Sequence, residues 1–264
     1  MGEFVARGDG LRVFGLSLSV EGAPPPGAWE TRPLSEPSLQ LRVVKPEAIT
    51  SCWSGRAATG WEAVIDGAPF AVEQGLVGDY LFVHGERAVH HLSADGTLLR
   101  SAPSDPTEPS WWRLVLDSVL FTVALLKGRQ ALHAAAVVTP AGAVAITAPS
   151  GGGKSTLLAE LLRRGLPLLA DDIVVLEPHV LLDRRRGAVS GLERTSRTLG
   201  ALVASLLRYP QIPERERARF EFASVLSACV PIMRLTADPM TSPSALGALL
   251  AAEPALQIRE DLAS

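Results

Sequence analysis

Near the middle of the chain, Ala148-Pro149-Ser150-Gly151-Gly152-Gly153-Lys154-Ser155-Thr156 places three glycines, a lysine and an adjacent pair of hydroxyls in one short run. These residue types suit one task, the cradling of a polyphosphate. Glycines let the main chain curl until successive N–H groups face a single anion, and a following helix adds the partial positive charge of its N-terminus. A lysine at position 154 reaches the β- and γ-phosphates, and the Ser155 hydroxyl is placed to ligate Mg²⁺. Ser150, Gly151, Gly152, Gly153, Lys154, Ser155 and Thr156 are therefore the expected nucleotide-binding residues, with ATP and Mg²⁺ as cofactors. The first glycine of the usual G-x-x-x-x-G-K-[ST] spacing is Ala148 here, which fits if that residue keeps a negative φ.

Such a loop works only between a strand and a helix, and both are legible. The apolar run Ala143-Val144-Ala145-Ile146 precedes it, and Leu157 to Arg164 follows with helical spacing, closed by Gly165. Leu166 to Ala170 then reads as a strand that ends at Asp171-Asp172. Asp171 is expected at the carboxyl end of the strand beside the glycine-loop strand, where ligands bind in open α/β sheets. Carboxylates there accept a proton from an attacking hydroxyl or ligate Mg²⁺. The short interval argues against RecA-like and ABC ATPases, whose acidic strand comes later. His133 lies on the strand read over Leu132 to Val138. It is either a hydrogen-bonded core histidine or a partner of the acidic pair.

Composition narrows the field. The 264 residues are 47% hydrophobic and 20% charged with a net charge of −3, enough to bury a core and without the basic field that nucleic acid requires. Lysine occurs three times, and one of the three is Lys154. Cys52 and Cys229 match no metal or redox spacing, no signal peptide is visible, and the most apolar segment, Leu114 to Leu126, is short and contains Asp117. These features predict a cytoplasmic protein with neither a membrane nor a nucleic-acid partner, and leave a homo-oligomer open.

The first hundred residues read as short strands and turns. Leu11 to Val20, Leu39 to Val44, Glu62 to Ile65, Asp79 to His84 and Ala88 to Leu92 are separated by signals such as Asp66-Gly67 and Asp95-Gly96, which predicts an antiparallel meander. Ser101 to Pro109 reads as a linker. A helix is expected over Trp111 to Leu126, with the tryptophans as core anchors. Further elements are expected over Ile173 to Leu176, Val180 to Leu182, Leu199 to Arg208, Glu214 to Ala228, Ile232 to Thr236 and Ser244 to Ala252. The expected organisation is a smaller strand-rich N-terminal domain (1–105) followed by an α/β P-loop kinase domain (106–264).

The stretch from Leu132-His133-Ala134 through Gly142 to Ile146, Ser150 to Ser155, Arg164-Gly165 and Leu169-Ala170-Asp171-Asp172 resembles the HPr kinase/phosphorylase family. The layout is similar to the shorter HPr-kinase-like proteins associated with lasso-peptide and other peptide natural products. This resemblance implies a serine-directed phosphotransferase acting on a peptide or protein. It implies that Asp171 is the general base, that His133 lies beside it, and that Asp172, Ser155 and Mg²⁺ hold the phosphates. The family's later Glu-x-Arg-Gly-Leu-Gly signature is not matched; Leu192-Glu193-Arg194-Thr195-Ser196 stands in that region. Two other readings remain open on the residues. One is a small-molecule kinase of the shikimate- or gluconate-kinase kind, with Arg184-Arg185-Arg186 as a lid. The other is a non-catalytic nucleotide-binding regulator.

Overall fold

The structure is a computed structural model. It describes residues 9–21, 32–33, 37–65, 67–108, 110–140, 142–149, 151–176, 213–229, 242 and 244–245. The chain divides into two compact units, the first running to Gly128 and the second beginning at Arg129.

The first unit is built on a nine-stranded sheet. Its strands are β1 (Asp9–Val13), β2 (Leu16–Glu21), β3 (Arg32–Pro33), β4 (Leu39–Val43), β5 (Arg56–Ile65), β6 (Ala68–Gly75), β7 (Tyr80–His84), β8 (Ala88–Leu92) and β9 (Leu98–Pro103). They are ordered β3-β1-β2-β4-β9-β8-β7-β6-β5. The expected meander is present from β5 to β9, each strand antiparallel to the next. β4 joins the two halves by pairing parallel with both β2 and β9. Alternation along β2 and β4 turns Leu16, Leu18, Leu39 and Leu41 into the core and leaves the residues between them part-exposed or at the surface.

Three expectations change here. Leu11 to Val20 is a hairpin rather than one strand, because Phe14 (φ 52°) and Gly15 (φ 73°) form a two-residue turn of left-handed residues. Phenylalanine is an unusual choice for such a turn, and its ring is held edge-on to Phe121 at 5.9 Å. Ser101 to Pro103 belongs to β9 and is buried rather than part of a linker. A short helix, α1 (Pro46–Cys52), starts with proline in its first turn, where a missing N–H costs nothing.

The helical stretch expected over Trp111 to Leu126 is present as α2 (Ser110–Leu114), a π-helical segment (Val115–Leu120) and α3 (Phe121–Leu126). It belongs to the first unit. Trp111, Trp112, Val115, Val119, Leu120 and Val123 share one core with the sheet residues Leu18, Leu41, Phe70, Phe82 and Leu99. The two indoles stack at 4.4 Å as part of that core. This burial moves the boundary from 105/106 to 128/129, because the helix's apolar surface is covered by the sheet before it. Among the described residues, no helix is long and apolar enough to cross a membrane.

The described part of the second unit comprises β10 (Gln130–His133), β11 (Ala135–Thr139), β12 (Gly142–Ile146), α4 (Lys154–Arg163), β13 (Leu168–Ala170), β14 (Ile173–Leu176) and α5 (Pro213–Cys229). Its strands form two small sheets, β12-β11-β13 and β10-β14, antiparallel throughout. Leu157, Leu158 and Leu161 of α4 pack with Ala135 and Val137 of β11. Phe222, Ala223 and Leu226 of α5 pack with Leu132 and Ala134. The expected elements over Val180 to Leu182, Leu199 to Arg208 and Ile232 to Thr236, most of the helix at Ser244 to Ala252, and the Arg184-Arg185-Arg186 loop lie outside the described residues.

Candidate functional site

The glycine loop connects β12 to α4, as the residue pattern requires. Gly153 is the residue before the helix and sits in the left-handed region (φ 82°), as does Gly151 (φ 74°). Gly152 is needed for a different reason. A Cβ there would lie 2.9 Å from the Pro149 carbonyl and 3.0 Å from the Ala148 Cβ, so the curled main chain leaves no space for a side chain. The Gly152 N–H closes this curl by donating to Pro149 O at 2.9 Å. Ala148 does not take a positive φ, which is why alanine serves at that position.

Leu157 N–H donates to Gly153 O at 2.9 Å. The amides of Lys154, Ser155 and Thr156 therefore precede the first bond of the helix, and no side chain caps them. At its other end α4 is held by Glu160, which is buried and accepts from Arg163 Nη2 at 3.0 Å and Arg164 Nε at 2.9 Å. These partners, Arg163 foremost, hold the Glu160 carboxyl below the usual range against the opposing effect of burial. Gly165 follows in the left-handed region and ends the helix.

β11 determines what gathers at the loop. It lies between β12 and β13, so the acidic strand is not beside the glycine-loop strand as expected. Both outer strands run antiparallel to β11, and their carboxyl ends meet its beginning: Ile146 pairs with Ala135 and Ala170 with Ala136. Ala134 breaks the expected Leu132 to Val138 strand into β10 and β11, and its N–H donates to Asp172 O at 2.9 Å. His133, the last residue of β10, is thereby set opposite Ile173, next to the acidic pair.

Asp172 is the point of convergence. Its Oδ1 accepts from Lys154 Nζ at 2.7 Å and lies 3.2 Å from His133 Nδ1. Lys154 also reaches the Asp171 main-chain carbonyl at 3.4 Å. The lysine side chain is 11% exposed and that of Asp172 63%, so the pair stands at the surface with one face open. A carboxylate this exposed is solvated in its own right, so the pair can separate when a polyphosphate competes for the lysine. His133 thus meets Asp172 rather than Asp171, whose exposed side chain is set one residue before this cluster.

Lys154, Asp172 and His133 are brought together through their side chains, and Gly151, Gly152 and Gly153 form the turn before them. Ser155 and Thr156 are exposed on the first turn of α4. Ser150 lies outside the described residues. Mg²⁺ prefers hard oxygen donors and keeps several waters while bridging substrate phosphates. The Asp172 carboxylate and Ser155 hydroxyl are donors of that kind, at the mouth of a loop stripped of side chains, and so fit this ion. Among the described residues there is no group of three His, Cys, Asp or Glu side chains that would hold a metal alone.

Sequence patterns attached no role to His84, His90 and His91. All three are buried in the first unit. His91 belongs to a hydrogen-bonded cluster with Asp79 and Cys52 that only strand pairing brings together, and the adjacent histidines of β8 were the sole local signal. Compared with known proteins, the chain matches no family model, no curated protein and no solved structure.

Proposed function

We propose that this chain is an ATP-dependent, Mg²⁺-requiring kinase that transfers the γ-phosphate to a serine or threonine hydroxyl of a peptide or protein, such as a ribosomally made precursor peptide, in the cytoplasm. The observation that carries this reading is the meeting of Lys154 and Asp172 at 2.7 Å, with His133 beside them, at the helical end of a glycine loop. An ATP-binding fold alone would explain the loop and the lysine. The acidic pair beside them supplies what phosphoryl transfer to a hydroxyl also needs.

In this mechanism the loop amides and the N-terminus of α4 hold the polyphosphate, and Lys154 leaves Asp172 to neutralise charge on its β/γ portion. Mg²⁺, held by Ser155 and Asp172, would offset the charge of the phosphates. Asp171 accepts the proton of the attacking hydroxyl. His133 keeps Asp172 placed once the lysine has moved. A peptide acceptor that covers the exposed site on docking keeps water from competing with the hydroxyl.

The test is transfer from γ-labelled ATP to serine-bearing peptides, read by mass spectrometry. The expected result is one added phosphate on the peptide, slow ATP hydrolysis without it, and no efficient transfer to free serine, sugars or shikimate-like acids. Lys154→Ala should remain folded and lose about 10²–10³-fold in transfer. Saturable phosphorylation of a small metabolite with none on any peptide would replace this reading with a small-molecule kinase. Tight ATP binding with no turnover on any acceptor would replace it with a nucleotide-binding regulator.

A further inference from the structure

The first unit contains a second chemical constellation, unrelated to the glycine loop. Cys52 ends α1, His91 lies on β8, and Asp79 precedes β7. The Cys52 Sγ lies 3.3 Å from His91 Nδ1 and also 3.3 Å from the Ile49 carbonyl oxygen, to which its hydrogen can donate, and His91 Nε2 lies 3.0 Å from Asp79 Oδ2. Asp79 and His91 are 2% and 3% exposed, whereas Cys52 is only partly buried. Asp79 is fixed in turn by the Ser54 hydroxyl, which donates to Oδ1 at 2.5 Å, and by the Ser54 N–H, which donates to Oδ2 at 3.2 Å. Space for the carboxylate is made at Gly75, where any Cβ would overlap Asp79 and Ser54.

The protons in this cluster can be placed. Burial works to raise the Asp79 carboxyl, but the hydrogen bonds from Ser54 and His91 outweigh it and hold it below the usual value, so Asp79 is an acceptor. His91 Nε2 must then carry the hydrogen, which leaves the Nδ1 lone pair directed at its other neighbours. Those are Cys52 Sγ and Arg100 Nη1, each at 3.3 Å. Arg100 is always a donor and enforces the same tautomer. The titratable and charged groups facing His91 are thus Asp79 from the turn before β7, Cys52 from α1 and Arg100 from β9.

We propose that Cys52 is a nucleophilic thiol served by His91 as base and Asp79 as positioning residue, and that it is a site of reversible thiolation by small-molecule disulfides. The neighbouring main chain selects this chemistry over acyl transfer. Trp53 N–H is spent on Ile49 O at 2.9 Å and Ser54 N–H on Asp79, so the amides that follow the thiol cannot stabilise an oxyanion. Attack on sulfur needs no such donors, because the leaving group is a stable thiolate. In the step, the Sγ–H proton passes to His91 Nδ1. Sγ then attacks one sulfur of R–S–S–R′; the Sγ–S bond forms as the S–S bond breaks. R′–S⁻ departs and takes the proton back from Nδ1. The Cys52 sulfur is oxidised to a mixed disulfide while R′–S is reduced to a thiol.

The experiment uses the full chain carrying Cys229→Ser, so that one thiol remains. Glutathione disulfide is the probe at about pH 6.5, where an unassisted thiol is only about 1% thiolate, and the adduct is followed by mass spectrometry. The folded protein should react about 10-fold faster or more than the same chain unfolded in urea. His91→Gln and Asp79→Asn should each cut the folded rate about 10-fold. Both should also shift the pH–rate profile for iodoacetamide alkylation toward that of a simple thiol. A folded chain that reacts no faster than the unfolded one overturns the proposal, and this comparison needs no variant. An unchanged rate and pH profile in folded His91→Gln overturns it equally.

Discussion

The two units each contain an aspartate–histidine pair at nearly the same distance, 3.0 Å for Asp79–His91 and 3.2 Å for His133–Asp172. They differ in where water can go. The first pair is buried, with side chains 3% and 4% exposed, and Ser54 and His91 both donate to the carboxylate. The second pair is 42% and 63% exposed and shares its carboxylate oxygen with a lysine. A buried ionised group must keep its partners, because losing one leaves a charge that nothing solvates. An exposed one exchanges partners at little cost. The same two residue types are therefore held fixed by burial in one unit and left open to a change of partner in the other.

The sharpest way to break this comparison lies in the second unit. Asp171→Asn should lower kcat about 10²–10⁴-fold while leaving ATP affinity near that of the parent, since under the proposed mechanism it removes only the proton acceptor. Asp172→Asn should weaken Mg²⁺-dependent nucleotide binding as well, because its carboxylate meets both Lys154 and the expected metal. Titration of each variant with Mg·ATP separates the two roles. Parent-like binding and turnover in both would make the acidic pair structural.

Parts of this site could be read directly along the chain, and parts could not. The glycine loop, the start of α4 at Lys154 and the strand over Gly142–Ile146 depend on neighbours in sequence, so residue type and spacing reveal them. The placement of β11 between β12 and β13 does not, since it follows from pairing choices made after the chain turns back at Gly142. The break at Ala134 has no local signal either, because alanine fits a strand as well as a bend. Yet that break is what turns His133 toward Asp172 instead of Asp171. In the first unit, Phe14 conceals a hairpin because aromatic residues normally mark strand interiors. The cluster at His91 is invisible in the sequence because Cys52, Asp79 and His91 come from three separate elements.

The buried side of the comparison is tested by acid. Burial pushes His84 down to about 4, with Arg87 adding to the effect, and pushes His90 down to about 3, with His84 adding to it. Both are held neutral below the ordinary value of about 6.5. Stability from these groups is therefore complete above about pH 6.5 and is lost as pH falls from there toward 4, where the unfolded chain gains protons that the fold refuses. Each histidine should cost about 1.4 kcal/mol per pH unit across that window. The urea midpoint of the first unit's transition should fall steeply between pH 7 and 5. His84→Phe, next to the Phe70 ring at 4.3 Å, should remove about half of the slope. A midpoint that stays level over this range would mean that these sites admit water or protons, contrary to their burial.

The smallest effect tests the exposed side, and it separates the two pairs most cleanly. His133 faces a carboxylate that is itself 63% exposed, and such ion pairs contribute only about 0–1 kcal/mol. His133→Gln should leave unfolding free energy within about 0.5 kcal/mol of the parent. It should still lower kcat about 10-fold, because Asp172 loses a fixed neighbour once Lys154 has moved to the phosphates. The equivalent change in the buried pair, His91→Gln, should cost about 1–3 kcal/mol of stability, since a flexible amide in place of the packed imidazole cannot hold its bond to the buried Asp79 in the same geometry. Urea unfolding and steady-state transfer, measured on both variants, give the two readouts. If His133→Gln destabilises as much as His91→Gln, the exposed pair is a structural tie of the second unit. If it changes neither stability nor kcat, His133 stands beside the site without positioning it, and Lys154 with the acidic pair must suffice for the chemistry.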